Sequence, residues 1–110
     1  MEFSHVGMIT EEVKEGETFV EATRVWVTDF IKHPYHIEWL RFEQDSPLTG
    51  PVRNLPHVAY RVDSLEAASA GMKVLLEPFT PLEGLRVGFY ETSDGAVIEF
   101  MEYDESPFES

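Results

Sequence analysis

The 110-residue sequence contains no cysteine, which excludes disulfides and thiolate–metal sites. Any bound metal would have to be held by His and carboxylates, a donor set that suits zinc, nickel, iron, cobalt or manganese. Basic residues are scarce. Eight Lys and Arg stand against 21 Asp and Glu, giving an acidic protein with a formal net charge of −13. A field of that sign repels nucleic acid and anionic lipid, so neither is expected as a partner, and highly phosphorylated ligands are disfavoured. No apolar run approaches the roughly 20 residues that span a bilayer. The first residues, Met1-Glu2-Phe3-Ser4-His5, lack the basic region and apolar stretch of a signal peptide, so a cytoplasmic protein is expected. With 43% apolar residues and only 7 Gly and 7 Pro, the composition is that of a folded chain. The length suits one domain, 1-110, with one modest core.

Strand signals dominate. Residues 3–9 read FSHVGMI, and residues 18–29 read as one long strand or two joined by a bend. HIEWLRFE follows at 36–43, then a turn-rich stretch, then HVAYRV, KVLLEPF, LRVGFYE and AVIEFMEY. One segment reads as helix: Asp63 or Ser64 can cap it, Leu65 to Ala70 form it, and Gly71 ends it. Residues 10–17 suffice for one helical turn at most, because Gly16 interrupts them. The last residues, DESPFES, read as an acidic, mobile tail.

The sequence is doubled. His5-Val6 recurs as His57-Val58, and Ile37-Glu38-Trp39-Leu40-Arg41-Phe42 recurs as Ile98-Glu99-Phe100-Met101-Glu102-Tyr103. Between them Arg24-Val25 matches Arg86-Val87. The Arg-to-Glu spacing is nearly equal in the halves, whereas the His-to-Arg spacing is longer by about ten residues in the second, where the helix falls. The expectation is an α+β fold of two weakly similar units: unit one over about 3-44, a linker over about 45-55, unit two over about 56-104, and a tail over 105-110.

Alternation along a strand sorts the side chains. It places His5 with Phe3, Gly7 and Ile9, and His57 with Ala59 and Arg61. Glu38 falls with His36, Leu40 and Phe42, and Glu99 with Val97, Met101 and Tyr103. The opposite faces carry Val6, Met8, Ile37, Trp39, Val58, Tyr60, Ile98 and Phe100, and read as the better core. A face mixing ionisable and apolar groups suits a ligand-binding cleft. Two imidazoles and two carboxylates converging there would bind a divalent ion and neutralise its charge, with positions left open for water or substrate. Each residue also has an ordinary structural reading. A strand histidine commonly bonds to backbone, and a strand glutamate commonly faces solvent. His36 fits the edge of the cleft, and His33 before Pro34 fits a loop. Arg24, Arg61 and Arg86 could hold a substrate carboxylate, but surface acids are the more abundant partners.

With these residues in view, the sequence resembles the vicinal oxygen chelate superfamily, which includes glyoxalase I, methylmalonyl-CoA epimerase, extradiol dioxygenases, and fosfomycin and bleomycin resistance proteins. The second half, HVAYRVDSLEAASAGMKVLLEPF and LRVGFYETSDGAVIEFME, follows that family's order of strand, helix and three strands. The resemblance implies paired βαβββ units forming a cupped mixed sheet around a central cleft, the first helix here largely lost. It also implies metal ligands His57 and Glu99 and, through the repeat, His5 and Glu38. The activity implied is isomerase or lyase chemistry on a small oxygenated metabolite through a stabilised enediolate or enolate, with Glu38 or Glu99 moving the proton. The alternative implied is a non-catalytic sequestering module of the bleomycin-resistance type. The missing first helix would leave Trp26 and Trp39 uncovered, from which a homodimer through unit one is expected.

Overall fold

A computed structural model describes residues 1–108. The elements are β1 (Glu2–Ile9), β2 (Thr18–Val20), β3 (Val25–Val27), β4 (Ile37–Phe42), α1 (Pro51–Asn54), β5 (His57–Arg61), α2 (Leu65–Ser69), β6 (Lys73–Leu82), β7 (Leu85–Glu91) and β8 (Val97–Glu102), with a 3-10 turn at Phe30–Lys32. All eight strands join one mixed sheet in the order β2-β3-β4-β1-β5-β8-β7-β6. It is two βαβββ-like units side by side, curled into a cup, with the first unit's helix absent.

The register repeats the doubling. Along the parallel β1–β4 pair, Val6 faces Ile37 and Gly7 faces Glu38. Along the parallel β5–β8 pair, Val58 faces Ile98 and Ala59 faces Glu99. The units meet at antiparallel β1–β5, where Val6 faces Val58, His5 faces Ala59 and Gly7 faces His57. An approximate two-fold therefore passes through the Val6–Val58 pair and relates His5 to His57 and Glu38 to Glu99.

One expected alignment shifts. Leu40 pairs with Val27 and its counterpart Met101 pairs with Val87, so Val27, not Val25, corresponds to Val87. Arg24 instead sits in the turn before β3, with a φ of 51°. The displacement is two residues, which preserves the strand faces.

The helix α2 forms where its signals stand. The Ser64 hydroxyl accepts a hydrogen bond from the Ala67 amide at 3.1 Å, and Gly71 takes a φ of 79°. Its buried Leu65 lies with Val62, Tyr90 and Phe100, covering the convex face of unit two. The Glu102 carboxylate ties the helix start to β8 by accepting from the Leu65 amide at 2.8 Å.

On unit one no helical turn forms over residues 10–17. This segment nevertheless covers the sheet. Lys14 stands 4.6 Å over the Trp39 ring, and Glu17 receives both a 3.0 Å and a 2.8 Å bond from Arg41, whose guanidinium lies 5.4 Å over Trp26. Trp26 and Trp39 are consequently half-buried, not bare as the lost helix suggested.

The better-buried face is the concave one, the reverse of the expectation. Ala59, Leu85, Val87, Phe89, Val97 and Met101 form its main cluster. On the convex side Phe100 is buried beneath α2, whereas Val6, Met8, Ile37, Trp39, Val58, Tyr60 and Ile98 are only half-buried. Curling brings concave side chains of both units together, whereas the convex face depends on whatever lies over it.

The stretch between the units is more than a connector. Helix α1 inserts Val52 into the main cluster, and the Arg53 guanidinium donates to the carbonyls of Leu48 and Glu43. The described part of the tail also folds back: Phe108 packs edge-on against Phe30 and Tyr103, with centroids 5.0 and 5.7 Å apart. Glu109 and Ser110 lie outside the described residues.

Candidate metal centre

His5 and His57 reach the floor of the cup from the two central strands, and Glu38 and Glu99 from the strands flanking them. The parallel registers place each glutamate two residues beyond its unit's histidine on the same face, so imidazole and carboxylate converge. Both histidines are 2% exposed and Glu99 is 7% exposed. The Glu38 side chain keeps 16% exposure, the most open of the four.

The distances are short and the hydrogen bonding is poor. His5 Nε2 lies 3.6 Å from Glu38 Oε1 and 3.4 Å from Glu99 Oε1, and His57 Nε2 lies 3.1 Å from Glu99 Oε1. None of these approaches is a well-formed hydrogen bond, and His5 Nε2, His57 Nε2 and His57 Nδ1 are buried without partners. Buried imidazole nitrogens facing carboxylates without a well-formed bond are costly unless a proton or an ion is shared between them.

A divalent ion fits that position. Donor atoms on a tetrahedron of radius near 2.1 Å are about 3.4 Å apart, the spacing expected for zinc. Three of the six separations in the cluster, at 3.1, 3.4 and 3.6 Å, bracket it. One ligand atom each from His5, Glu38 and His57 lies within 4.8 Å of the others. The His/Glu/His triad, with both histidines buried and Glu38 half-buried, is suited to metal coordination.

The histidine rings are held from behind. The Ser4 hydroxyl lies 3.0 Å from His5 Nδ1, and Phe30 stacks on the same ring at 4.1 Å and 22°. Phe89 meets His57 edge-on at 5.1 Å. Gly7 leaves room for the His57 ring, because a Cβ there would occupy the imidazole's own space. The register of β1 against β5 also shifts between Phe3 and His5, a bulge at Ser4. Simple alternation put Phe3 on the His5 face, but the bulge turns it to the convex side, where it contacts Tyr60 at 6.3 Å.

Burial alone would lower the pKa of His5, yet the Glu38 and Glu99 carboxylates overcome it and push the value up to about 10. Burial likewise works to raise Glu99, and the two histidines outweigh it, lowering its pKa to about 2. The metal-free cluster therefore holds a proton on His5 at neutral pH, which an incoming ion must displace.

The other candidates play structural parts. His36, with a φ of 53°, directs Nδ1 at the Ser4 carbonyl, 2.9 Å away. His33 Nδ1 accepts from the Tyr35 amide. Arg24 pairs with Asp45, Arg86 with Glu66, and Arg61 donates to the carbonyls of Tyr103 and Asp104. Sequence reasoning passed over Ser4, Gly7 and Phe30. Gly7 alone carried a readable signal, since glycine inside a strand marks a close approach.

The curled sheet with its His/Glu/His triad is vicinal-oxygen-chelate-like. Comparisons with protein-family models and with curated proteins give no match, so the likeness rests on architecture and cluster and reaches no particular family. Among the described residues, no helix is long and apolar enough to cross a membrane.

Proposed function

We propose that the protein is a small metal-dependent enzyme of glyoxalase-like type, an isomerase or lyase acting on a small oxygenated metabolite. The carrying observation is the convergence of two buried, unpartnered imidazole nitrogens and two carboxylates at the floor of a ligand-sized cavity of about 680 Å³. In this reading His5, Glu38, His57 and Glu99 hold the ion. A bound divalent ion would supply Lewis-acid polarisation of substrate oxygens.

The chain's own part is proton movement and exclusion of water. Glu99 lies against both histidines, so it suits a fixed role. Glu38 comes within ion-pair distance of one histidine, His5 at 3.6 Å, and is more open to the cavity, so it is the better-placed general base for a proton next to a carbonyl. The Phe30 and Phe89 rings beside the histidines limit water at the cluster.

The test is exchange of carbon-bound hydrogen. Zinc- or cobalt-loaded protein is incubated with hydroxyacetone in D2O, and deuterium incorporation is followed by NMR. Exchange that needs both the ion and Glu38, and is lost by a hundredfold or more in Glu38→Gln, supports the enzyme. A second reading, a sequestering module of the bleomycin-resistance type, is favoured by the largely apolar cavity walls. Retained ligand binding with no exchange of hydroxyacetone or other small hydroxyketones would favour that module.

A further inference from the structure

The cavity above the cluster has a composition that says more about its ligand than the metal donors do. Its walls are apolar and ring-bearing: Phe30, Leu40, Phe79, Val87, Phe89 and Phe108 all face it. Its charged and ionisable lining groups are two histidines and four acids, with Glu38 and Glu99 at the floor and the exposed Asp29 and Glu21 towards the mouth. None of the described residues lining it is Lys or Arg.

Seven of the eight basic residues are engaged by other groups, and the eighth, Lys32, is exposed and does not line the cavity. Arg24 pairs with Asp45 and, at the cavity rim, with Glu21, and Arg41, Lys73 and Arg86 pair with Glu17, Glu91 and Glu66. Arg53 and Arg61 donate to backbone carbonyls, and Lys14 lies over Trp39 beside Glu12. An ion at the floor would neutralise Glu38 and Glu99; at the rim Glu21 lies 3.6 Å from the Arg24 guanidinium, while Asp29 has no ion-pair partner among the described residues. A carboxylate or phosphate on the body of a ligand would be desolvated against apolar walls, near like charges and with no Lys or Arg among the described lining residues to meet it.

We infer that this cavity takes an uncharged or cationic ligand with an apolar, ring-bearing body, and discriminates against anions. Carboxylated or phosphorylated carrier conjugates are thereby excluded as substrates. This rests on the cavity being the seat of the function proposed above, and it deepens that reading by naming the class of ligand.

The test uses three probes that share one ring system: 2-naphthylmethanol, 2-naphthylmethylammonium and 2-naphthoate. Each is titrated into chelator-treated protein at neutral pH, and amide signals of β4, β7 and β8 are followed by NMR. The alcohol and the ammonium ion are expected to shift those signals saturably, with dissociation constants at least tenfold below that of naphthoate. Glu21→Lys, on the exposed rim, is expected to tighten naphthoate binding threefold or more. Equal or tighter naphthoate binding by the unaltered protein would overturn the inference, as would saturable binding of none of the three. Because no metal is present, the outcome is independent of whether the cluster binds an ion.

Discussion

Gly7 lies directly beneath the imidazole of His57, its partner across the β1–β5 pair, leaving no room for a side chain. Gly7→Ala would therefore drive the ring from its place. The expected results are a loss of about 1–3 kcal/mol in stability from overpacking and at least a tenfold loss in zinc affinity. Replacing His57 by Ala in the same protein removes the obstacle, so the double variant should regain stability without regaining metal. Denaturant unfolding and zinc titration of the three variants would show this. Normal zinc binding by Gly7→Ala would mean that His57 does not need its present position.

The cluster also gives stability a definite pH profile in metal-free protein. The folded pKa of His5, about 10, lies above its ordinary 6.5, so its contribution is full below pH 6.5 and is lost as pH rises through 10. The folded pKa of Glu99, about 2, lies below 4.5, so its contribution is full above pH 4.5 and is lost as pH falls through 2. This pair thus stabilises most between pH 4.5 and 6.5, with an alkaline decline that should shrink in His5→Gln. Added zinc opposes the alkaline decline, because it needs His5 without its proton. Unfolding curves across this range would test the profile. Stability independent of pH between 6.5 and 10 would contradict it.

The parts of the site that could be read from the sequence are those fixed by short-range rules. His5-Val6 and His57-Val58 recur within strands, and alternation sends each histidine to its glutamate's face whatever the loops do. Ser64 and Gly71 marked helix α2 through local capping and left-handed geometry. What lay hidden depends on irregular backbone. The bulge at Ser4 reverses Phe3, the turn at Arg24 shifts the β3 alignment by two residues, and the contact of Phe108 with Phe30 joins segments far apart in sequence. The covering of Trp39 by Lys14, and the holding of Arg41 over its cross-strand neighbour Trp26 by Glu17, were unreadable for the same reason, since no periodic pattern records a loop laid over a sheet.

That covering alters the ground for expecting a homodimer through unit one. With both tryptophans half-buried within the chain, their accessibility to acrylamide should not change with protein concentration. It should rise in the Lys14→Ala/Arg41→Ala double variant, which uncovers both rings. Shielding that grows with concentration in the unaltered protein would instead show that a second copy covers this face.

The central claim is that His5, Glu38, His57 and Glu99 form a site for a divalent ion, and calorimetric titration of untagged protein with zinc, nickel, cobalt and manganese tests it most directly. At neutral pH at least one of the four should bind at about one ion per chain, with release of protons from the cluster. His57→Ala should weaken that binding by a hundredfold or more, within the range expected for losing an imidazole ligand or its support. If none of the four ions binds the unaltered protein, or if His57→Ala binds as tightly as before, the cluster is not a metal site.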